Sequence, residues 1–523
     1  MIYMQLENNK GFEWQKYKKE SLFLKGNMQE KEIEKFMETD FFEAGQMLAH
    51  MEKIFNSFAC VKLTEKKVWG IVDRVRTIPL FYLETKSDFY ISDNPRWILN
   101  QTGDKSLNKY SVEEFLVTGY VTKRNIMFSG IKQLLPGEFL YYDDITKELT
   151  VNSYYKFKHS STTKKEDGLI KELDEINEQV FYDLISYLDG RTAIVPLSGG
   201  FDSRLIAYML KRLNYKNVIC YTYGIEGNLE SKISQEIAES LGYKWIFVPY
   251  SDKEWFELIN SNEYEKFSEY ADNLVSVPHI QDLLAVKKLV DNSGLPSDGV
   301  FIPGHTGDFL AGKHIPADIM KQKKIKRRYI VNSLIDRHYS LRYFSLISIS
   351  LQHKMREKLL SEFEKNKIYS AEEAADEIEH WNWRERQAKF ICNSVRVYEF
   401  YDFEWYLPLW DFRIQEFWKN APLEGRLNRN LFFSFFNKIF KDPIPKESSE
   451  NKVVKLLKFN PLIHDVFMYG NRIKKMNSLY EEHPLNWHKI ISKKEYFILS
   501  LKNYKNINSI LAKKKINEFS KKP

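Results

Sequence analysis

The 523-residue chain is 43% hydrophobic and 28% charged, and 78 Lys and Arg against 71 Asp and Glu leave a formal charge of +7. Sparse Gly (22) and Pro (16) exclude collagen-like and linker-dominated chains, and a 15% aromatic share excludes global disorder because such rings bury large apolar areas. One core rarely grows past about 250 to 300 residues, so two or more domains are expected.

The first 157 residues read as strand-rich. Apolar and polar residues alternate over 60–75, 79–94 and 137–157, with turn formers between them, which predicts antiparallel hairpins. Helical periods over 30–55 and 111–121 interrupt the strands, so 1–157 is expected to form a layered α+β domain. The polar stretch 158–168 breaks both periods and parts this domain from a second one over 168–523.

In the second domain a helical stretch over 169–188 precedes the β-branched run 192–197. A tight glycine loop, a helix, a strand over 217–224, a helix and a strand over 244–250 follow. That alternation predicts an α/β doubly wound parallel sheet whose ligands gather at the carboxyl ends of the strands. A further strand over 299–304 ends in a second glycine-containing loop, and residues 317–523 read as mainly helical. The last stretch, 491–523, is Lys-rich. A nucleic-acid or membrane surface is conceivable there, but a solvated helical face ending in a frayed tail is the plainer reading, so neither partner is expected.

Cys60, Cys220 and Cys392 are far apart and lack metal-ligand spacing, which supports neither a disulfide scaffold nor a zinc site and suits a reducing cytoplasm. The start of the sequence has no apolar signal region, and no run of about 18 apolar residues occurs, so export and membrane spanning are not expected.

The strongest local signal is Ser198-Gly199-Gly200-Phe201-Asp202-Ser203, where an apolar strand gives way to an amphipathic helix. Paired glycines let backbone approach a ligand, the helix start offers free N–H groups to an anion, and two hydroxyls add donors. No lysine follows the glycines, so this is not the mononucleotide loop that ends in Gly-Lys-Ser or Gly-Lys-Thr. Asp202 cannot attract a bare phosphate by charge, which points to Mg²⁺ held between carboxylate and phosphate. The alternative is a Ser or Asx helix cap after a tight turn.

The segment 196–207 resembles the pyrophosphate-binding loop of the asparagine synthetase family, whose relatives include β-lactam synthetase. Segments 303–312 and 404–418 are similar to two further motifs of that family, in the same order, and 69–94 with 131–142 are similar to its glutaminase domain. The resemblance implies an ATP pyrophosphatase domain behind a sandwich-type glutaminase domain. It implies that Ser198, Gly199, Gly200 and Ser203 cradle the phosphates that leave as pyrophosphate. Asp202 and Asp308 hold magnesium, and Tyr223, Gly224 and Gly304 receive adenosine.

His305 stands where the synthetase has glutamate and β-lactam synthetase has tyrosine. Glu404 matches the carboxylate that partners it, and an imidazole so oriented makes a general base. The family's lysine downstream is matched by Lys446 or Lys452.

Ile2 follows Met1 where the glutaminase has its cysteine nucleophile, so glutamine hydrolysis is not expected and the first domain reads as a degenerate cap. The implied function is ATP-dependent, AMP-forming amide ligation of a small-molecule, sugar or peptide carboxylate, with ammonia from solution or from a separate glutaminase. The alternatives are an ATP pyrophosphatase acting on a nucleobase or sulfur acceptor, and an inactive nucleotide-binding relic.

Overall fold

The computed structural model describes residues 1–8, 11–17, 21–28, 32–34, 54, 56–160, 164–441, 461–481, 483, 485 and 490–521. The helix expected over 30–55 falls almost wholly outside these residues, as do Lys446 and Lys452.

The alternating segments of the first 157 residues form strands because each buries one face. β1 (Ile2–Gln5), β2 (Gln15–Tyr17), β3 (Leu22–Gly26), β4 (Phe58–Leu63), β5 (Lys67–Val72), β6 (Phe81–Glu84), β7 (Phe89–Ser92), β8 (Lys132–Gln133), β9 (Glu138–Asp143) and β10 (Glu148–Ser153) make two sheets. The four-stranded sheet has the order β1-β7-β6-β8 and the six-stranded sheet the order β10-β9-β5-β4-β3-β2. Their facing residues, among them Val61, Val68, Ile91 and Leu140, are fully buried between the layers. The helix Lys109–Thr118 overlaps the period read at 111–121, starting two residues earlier and ending three earlier. Its start is capped by Asn108, whose side chain accepts from Ser111 N.

A 23-residue helix, Glu166–Leu188, leads into the second layer system. There β11 (Ala193–Pro196), β12 (Val218–Gly224), β13 (Lys244–Pro249) and β14 (Val300–Phe301) pair in parallel with one another. β15 (Ile325–Lys326) and β16 (Ile368–Tyr369) form a separate small ladder, and β17 (Glu404–Trp405) closes the parallel sheet beside β14. The order β13-β12-β11-β14-β17 is a doubly wound topology, in which the winding reverses between β11 and β14. Helices cover both faces, so the central strands are apolar throughout: Ile194, Val195, Tyr221, Val300 and Phe301 are all fully buried.

The rest of the chain is mainly helical. Its Lys-rich end is less solvated than the sequence suggests. The helix Ile507–Lys521 buries Ile507, Ile510 and Ala512, and Lys515 makes a 2.7 Å ion pair with the fully buried Asp272. No helix among the described residues is long and apolar enough to cross a membrane.

Polar contacts pin the two layer systems together. Trp383 Nε1 donates to Arg74 O at 2.8 Å, Arg96 pairs with Asp272 at 2.7 Å, and Arg396 donates to Thr77 O. The first system thus packs as a wall of the second.

Candidate active site

Ligands of doubly wound sheets bind where the winding reverses, and the two glycine loops leave the sheet at that point. One follows β11 and the other follows β14, so strands adjacent in space bring together Asp202 and Asp308, 106 residues apart in sequence. The Asp308 N–H donates to Asp202 Oδ2 at 2.7 Å.

The first loop is braced by its own hydroxyls. Ser198 N donates to Ser203 Oγ and Gly200 N to Ser198 Oγ, each at 3.1 Å, and the two hydroxyls lie 3.2 Å apart. Arg204 reaches back to Gly199 O at 3.1 Å. The helix Phe201–Arg212 begins at Gly200 with no side-chain cap, so its first N–H groups stay free for an anion. The cap alternative read from the sequence is not what forms.

Glycine is required at 304 and 307 by the fold and not at 199. A Cβ on Gly304 would lie 2.7 Å from Ser203 N, and one on Gly307 would lie 2.9 Å from the Asp202 carboxyl. A Cβ on Gly199 would meet nothing nearer than 3.6 Å, so its missing side chain serves an approaching group and not the packing. Gly304→Ala is expected to force the loops apart at a cost of about 1–3 kcal/mol, read as a lower urea midpoint.

The carboxylates differ in electrostatics. Burial and the neighbouring Asp308 raise the Asp202 carboxyl, against Arg429, whose Nη2 lies 2.6 Å from Asp202 Oδ1. Burial alone would raise Asp308 as well, but His314, Lys313 and Arg429 outweigh it and hold that carboxyl down at about 2. Lys313 Nζ is 3.2 Å from Asp308 Oδ2. No group of three or more His, Cys, Asp or Glu among the described residues could hold a metal ion by itself. Two carboxylates and hydroxyl oxygens are hard donors that fit Mg²⁺, which is commonly held by one or two carboxylates together with substrate phosphates.

His305 lies on the second loop, with both ring nitrogens 3.3 Å from Ser394 Oγ. Burial and the nearby His279 push its imidazole down to about 4, while Asp282 and Asp308 pull the other way. The ring is therefore neutral at pH 7. Asp282 is set at the mouth of the sheet by two phenols: Tyr223 OH donates to Oδ1 and Tyr398 OH to Oδ2 at 2.8 Å. Tyr223, at the end of β12, also stacks on Tyr250 with ring centres 5.2 Å apart.

The expected pairing of His305 with Glu404 is not formed. Glu404 begins a strand, in register with Val300 and hence with Ala193, at the amino end of the parallel sheet. Its Oε2 accepts from Tyr187 OH at 2.6 Å and from Arg191 Nη1 at 2.7 Å. The amino end of the sheet lies opposite the carboxyl-end loops, so Glu404 is a structural ion pair, and the carboxylates whose charge acts on His305 are Asp282 and Asp308. Asp282 precedes the helix Leu283–Asp291 without capping it, yet in sequence an aspartate before a helix reads as a cap. Arg429 follows Asn428, and both have left-handed backbone (φ 60° and 54°), a non-glycine geometry that clusters at functional sites and carries no composition signal.

Loops meeting at the winding reversal of a parallel sheet, with paired carboxylates and an uncapped helix start, define a nucleotide-dependent α/β enzyme site. The asparagine synthase family model matches residues 190–471, and that of the glutamine amidotransferase domain matches 37–155. The chain belongs to the asparagine synthase family, which carries ATP use and a ligase-type activity. No curated protein matches it.

Among solved structures it is similar to the NH3-dependent NAD synthetase from Campylobacter jejuni, at 13% identity over 38% of this chain and 95% of that one, with a TM-score of 0.20. The allosteric regulatory enzyme of purine biosynthesis matches at 10% identity over 45% and 61%, with a TM-score of 0.18. Glutamine phosphoribosylpyrophosphate amidotransferase from B. subtilis matches at 11% over 56% and 63%, with a TM-score of 0.16. The chain thus spans less than two thirds of the latter two.

Proposed function

We propose that the chain adenylates a carboxylic acid with ATP and passes the acyl group to ammonia or an amine, forming a carbon–nitrogen bond. The observation that carries this is the contact of Asp202 with Asp308 beside the Ser-Gly loop. It assembles anion donors and paired carboxylates in one place.

An oxygen of the acid attacks the α-phosphorus, the bond to the β-phosphate oxygen breaks, and pyrophosphate leaves. The amine nitrogen then attacks the acyl carbon, the carbon–oxygen bond to AMP breaks, and one proton leaves the nitrogen. Ser198, Ser203 and the free N–H groups of the helix start hold the outer phosphates. Asp202 and Asp308 would hold Mg²⁺, which would supply charge neutralisation for the departing pyrophosphate. Gly304 lets the second loop lie against Ser203 and so form the wall that receives adenosine, and Tyr223 closes its side of the mouth. His305, neutral and held against Ser394, accepts the proton from the amine.

Ammonia is drawn from solution or a separate glutaminase. Burial raises the thiols of all three cysteines, that of Cys220 to about 12, which leaves none of them a ready nucleophile. The same burial weighs against sulfur transfer. The first layer system then acts as the wall that positions the second.

The test is exchange of labelled pyrophosphate into ATP over a panel of carboxylic acids with Mg²⁺, followed by identification of the nucleotide product. Acid-dependent exchange and AMP are expected; ADP as product would contradict the proposal. His305→Ala is expected to spare exchange and slow amide formation by about 10²-fold. Equal loss in both half-reactions would remove His305 from the proton step.

A further inference from the structure

A run of four residues spaced by four faces the site from the helical part of the chain. Asn382 ends the helix Ala371–Asn382, and Arg386 and Phe390 lie on the π-helical stretch Trp383–Ile391 that continues it; Ser394 follows on the next turn. Asn382 Nδ2 donates to His314 Nδ1 at 2.6 Å, the Phe390 ring is 5.5 Å from that of His279, and Ser394 lies 3.3 Å from His305. Arg386 sits between them on the same face, one turn from each neighbour. A long π-helix is rare, and π-helical turns are frequent at functional sites.

Arg386 is half-buried and has no hydrogen-bond or ion-pair partner among the described residues. Both carboxylates of the site are already met by other cations, Asp202 by Arg429 and Asp308 by Lys313. Glu385, next in sequence, is taken by Lys389 at 2.6 Å and Arg384 at 2.7 Å. Arg337, close by, donates to Lys313 O at 3.1 Å and meets no acid. The charge of Arg386 is felt by His279, His314, His338 and Arg337, all of which it pushes down. His338, 3% exposed, leaves both ring nitrogens without a partner. The two guanidiniums repel each other, the one carboxylate both feel is that of Asp308, which is paired with Lys313, and Arg386 forgoes its hydrogen bonds.

We infer that Arg386 receives an anionic group of the acid substrate, in a recess walled by His279, His305, His314 and Arg337. The inference rests on the ligase reading, which puts the acid beside Asp308. A planar guanidinium offers two parallel N–H donors to a carboxylate, which fixes the orientation of the acid as well as its presence. The anionic group is either the carboxylate that is activated or a second one on the same molecule.

The test uses inorganic sulfate as probe, with the full chain saturated by α,β-methylene-ATP and Mg²⁺ so that the phosphate loop is filled. In equilibrium dialysis the wild type should bind one labelled sulfate. Arg386→Gln should weaken sulfate by about tenfold or more with nucleotide affinity unchanged, and Arg386→Lys, which keeps the charge, should retain most of the binding. Displacement by propionate as well as succinate assigns the site to the activated carboxylate, and displacement by succinate alone assigns it to a second group. No sulfate bound by the wild type, or equal sulfate on Arg386→Gln, overturns the inference. So does joint loss of sulfate and nucleotide in the variant. Failure of the wild type to bind the nucleotide sinks the ligase reading instead.

Discussion

Asp202→Asn is expected to leave the fold standing and to cut acid-dependent AMP formation by about 10³-fold or more. The amide keeps an oxygen where Asp202 Oδ2 now accepts from Asp308 N, so the contact between the loops survives. What disappears is a negative charge. The folded protein already strains against that charge, because burial and Asp308 raise the Asp202 carboxyl. Stability should therefore change little, relief of that charge offsetting the lost ion pair with Arg429, while activity falls, which separates a functional charge from a packing role. Urea midpoints and pyrophosphate exchange measured on one preparation decide it. A variant that loses stability and keeps exchange would return Asp202 to the helix start as a plain structural group.

The second large effect is acid destabilisation. Burial pushes the imidazole of His305 down to about 4 and those of His314 and His380 to about 3, and it lowers His279 and His338 too. An unfolded imidazole titrates near 6.5. Below that pH the unfolded chain takes up protons that the folded chain refuses, so stability present at pH 7 and above is lost as pH falls from about 6.5 towards 4. At pH 5 His305, His314 and His380 each cost about 2 kcal/mol, and together about 6 kcal/mol, a large part of ordinary protein stability. Below about 4.5 the carboxyls held down at about 2, Asp308 and Glu385, add to the loss. Urea midpoints at pH 7.5, 6.5, 5.5 and 5.0 should fall steeply, and His380→Gln should flatten the slope by about one proton. A flat profile across this range would contradict the burial of these rings as neutral groups.

The parallel sheet was legible because its strands are apolar on both faces, and the glycine loops because backbone contact leaves a residue-type trace. Asp202 and Asp308 were legible for the same reason: each sits in a short glycine-containing motif, and the glycines beside Asp308 are ones the fold requires. The partner of His305 was not. Motif order placed Glu404 beside it, but a motif fixes position in sequence and not the end of the sheet at which a residue falls. Asp282, Arg386 and Arg429 come from helix starts, a π-helical turn and a left-handed linker, where nothing in local composition separates a site residue from a cap or a surface charge. The four-residue spacing of Asn382, Arg386, Phe390 and Ser394 is a visible signal only once their facing partners are known.

The most direct test of the account follows oxygen. With an acid that supports exchange, labelled with ¹⁸O in its carboxylate, and with ammonium as acceptor, one labelled oxygen should appear in the phosphate of AMP, and pyrophosphate should stay unlabelled. Label in orthophosphate, with ADP as the nucleotide product, would show that the γ-phosphate and not the α-phosphorus is attacked, and the proposed role of the Asp202–Asp308 site would fall with it.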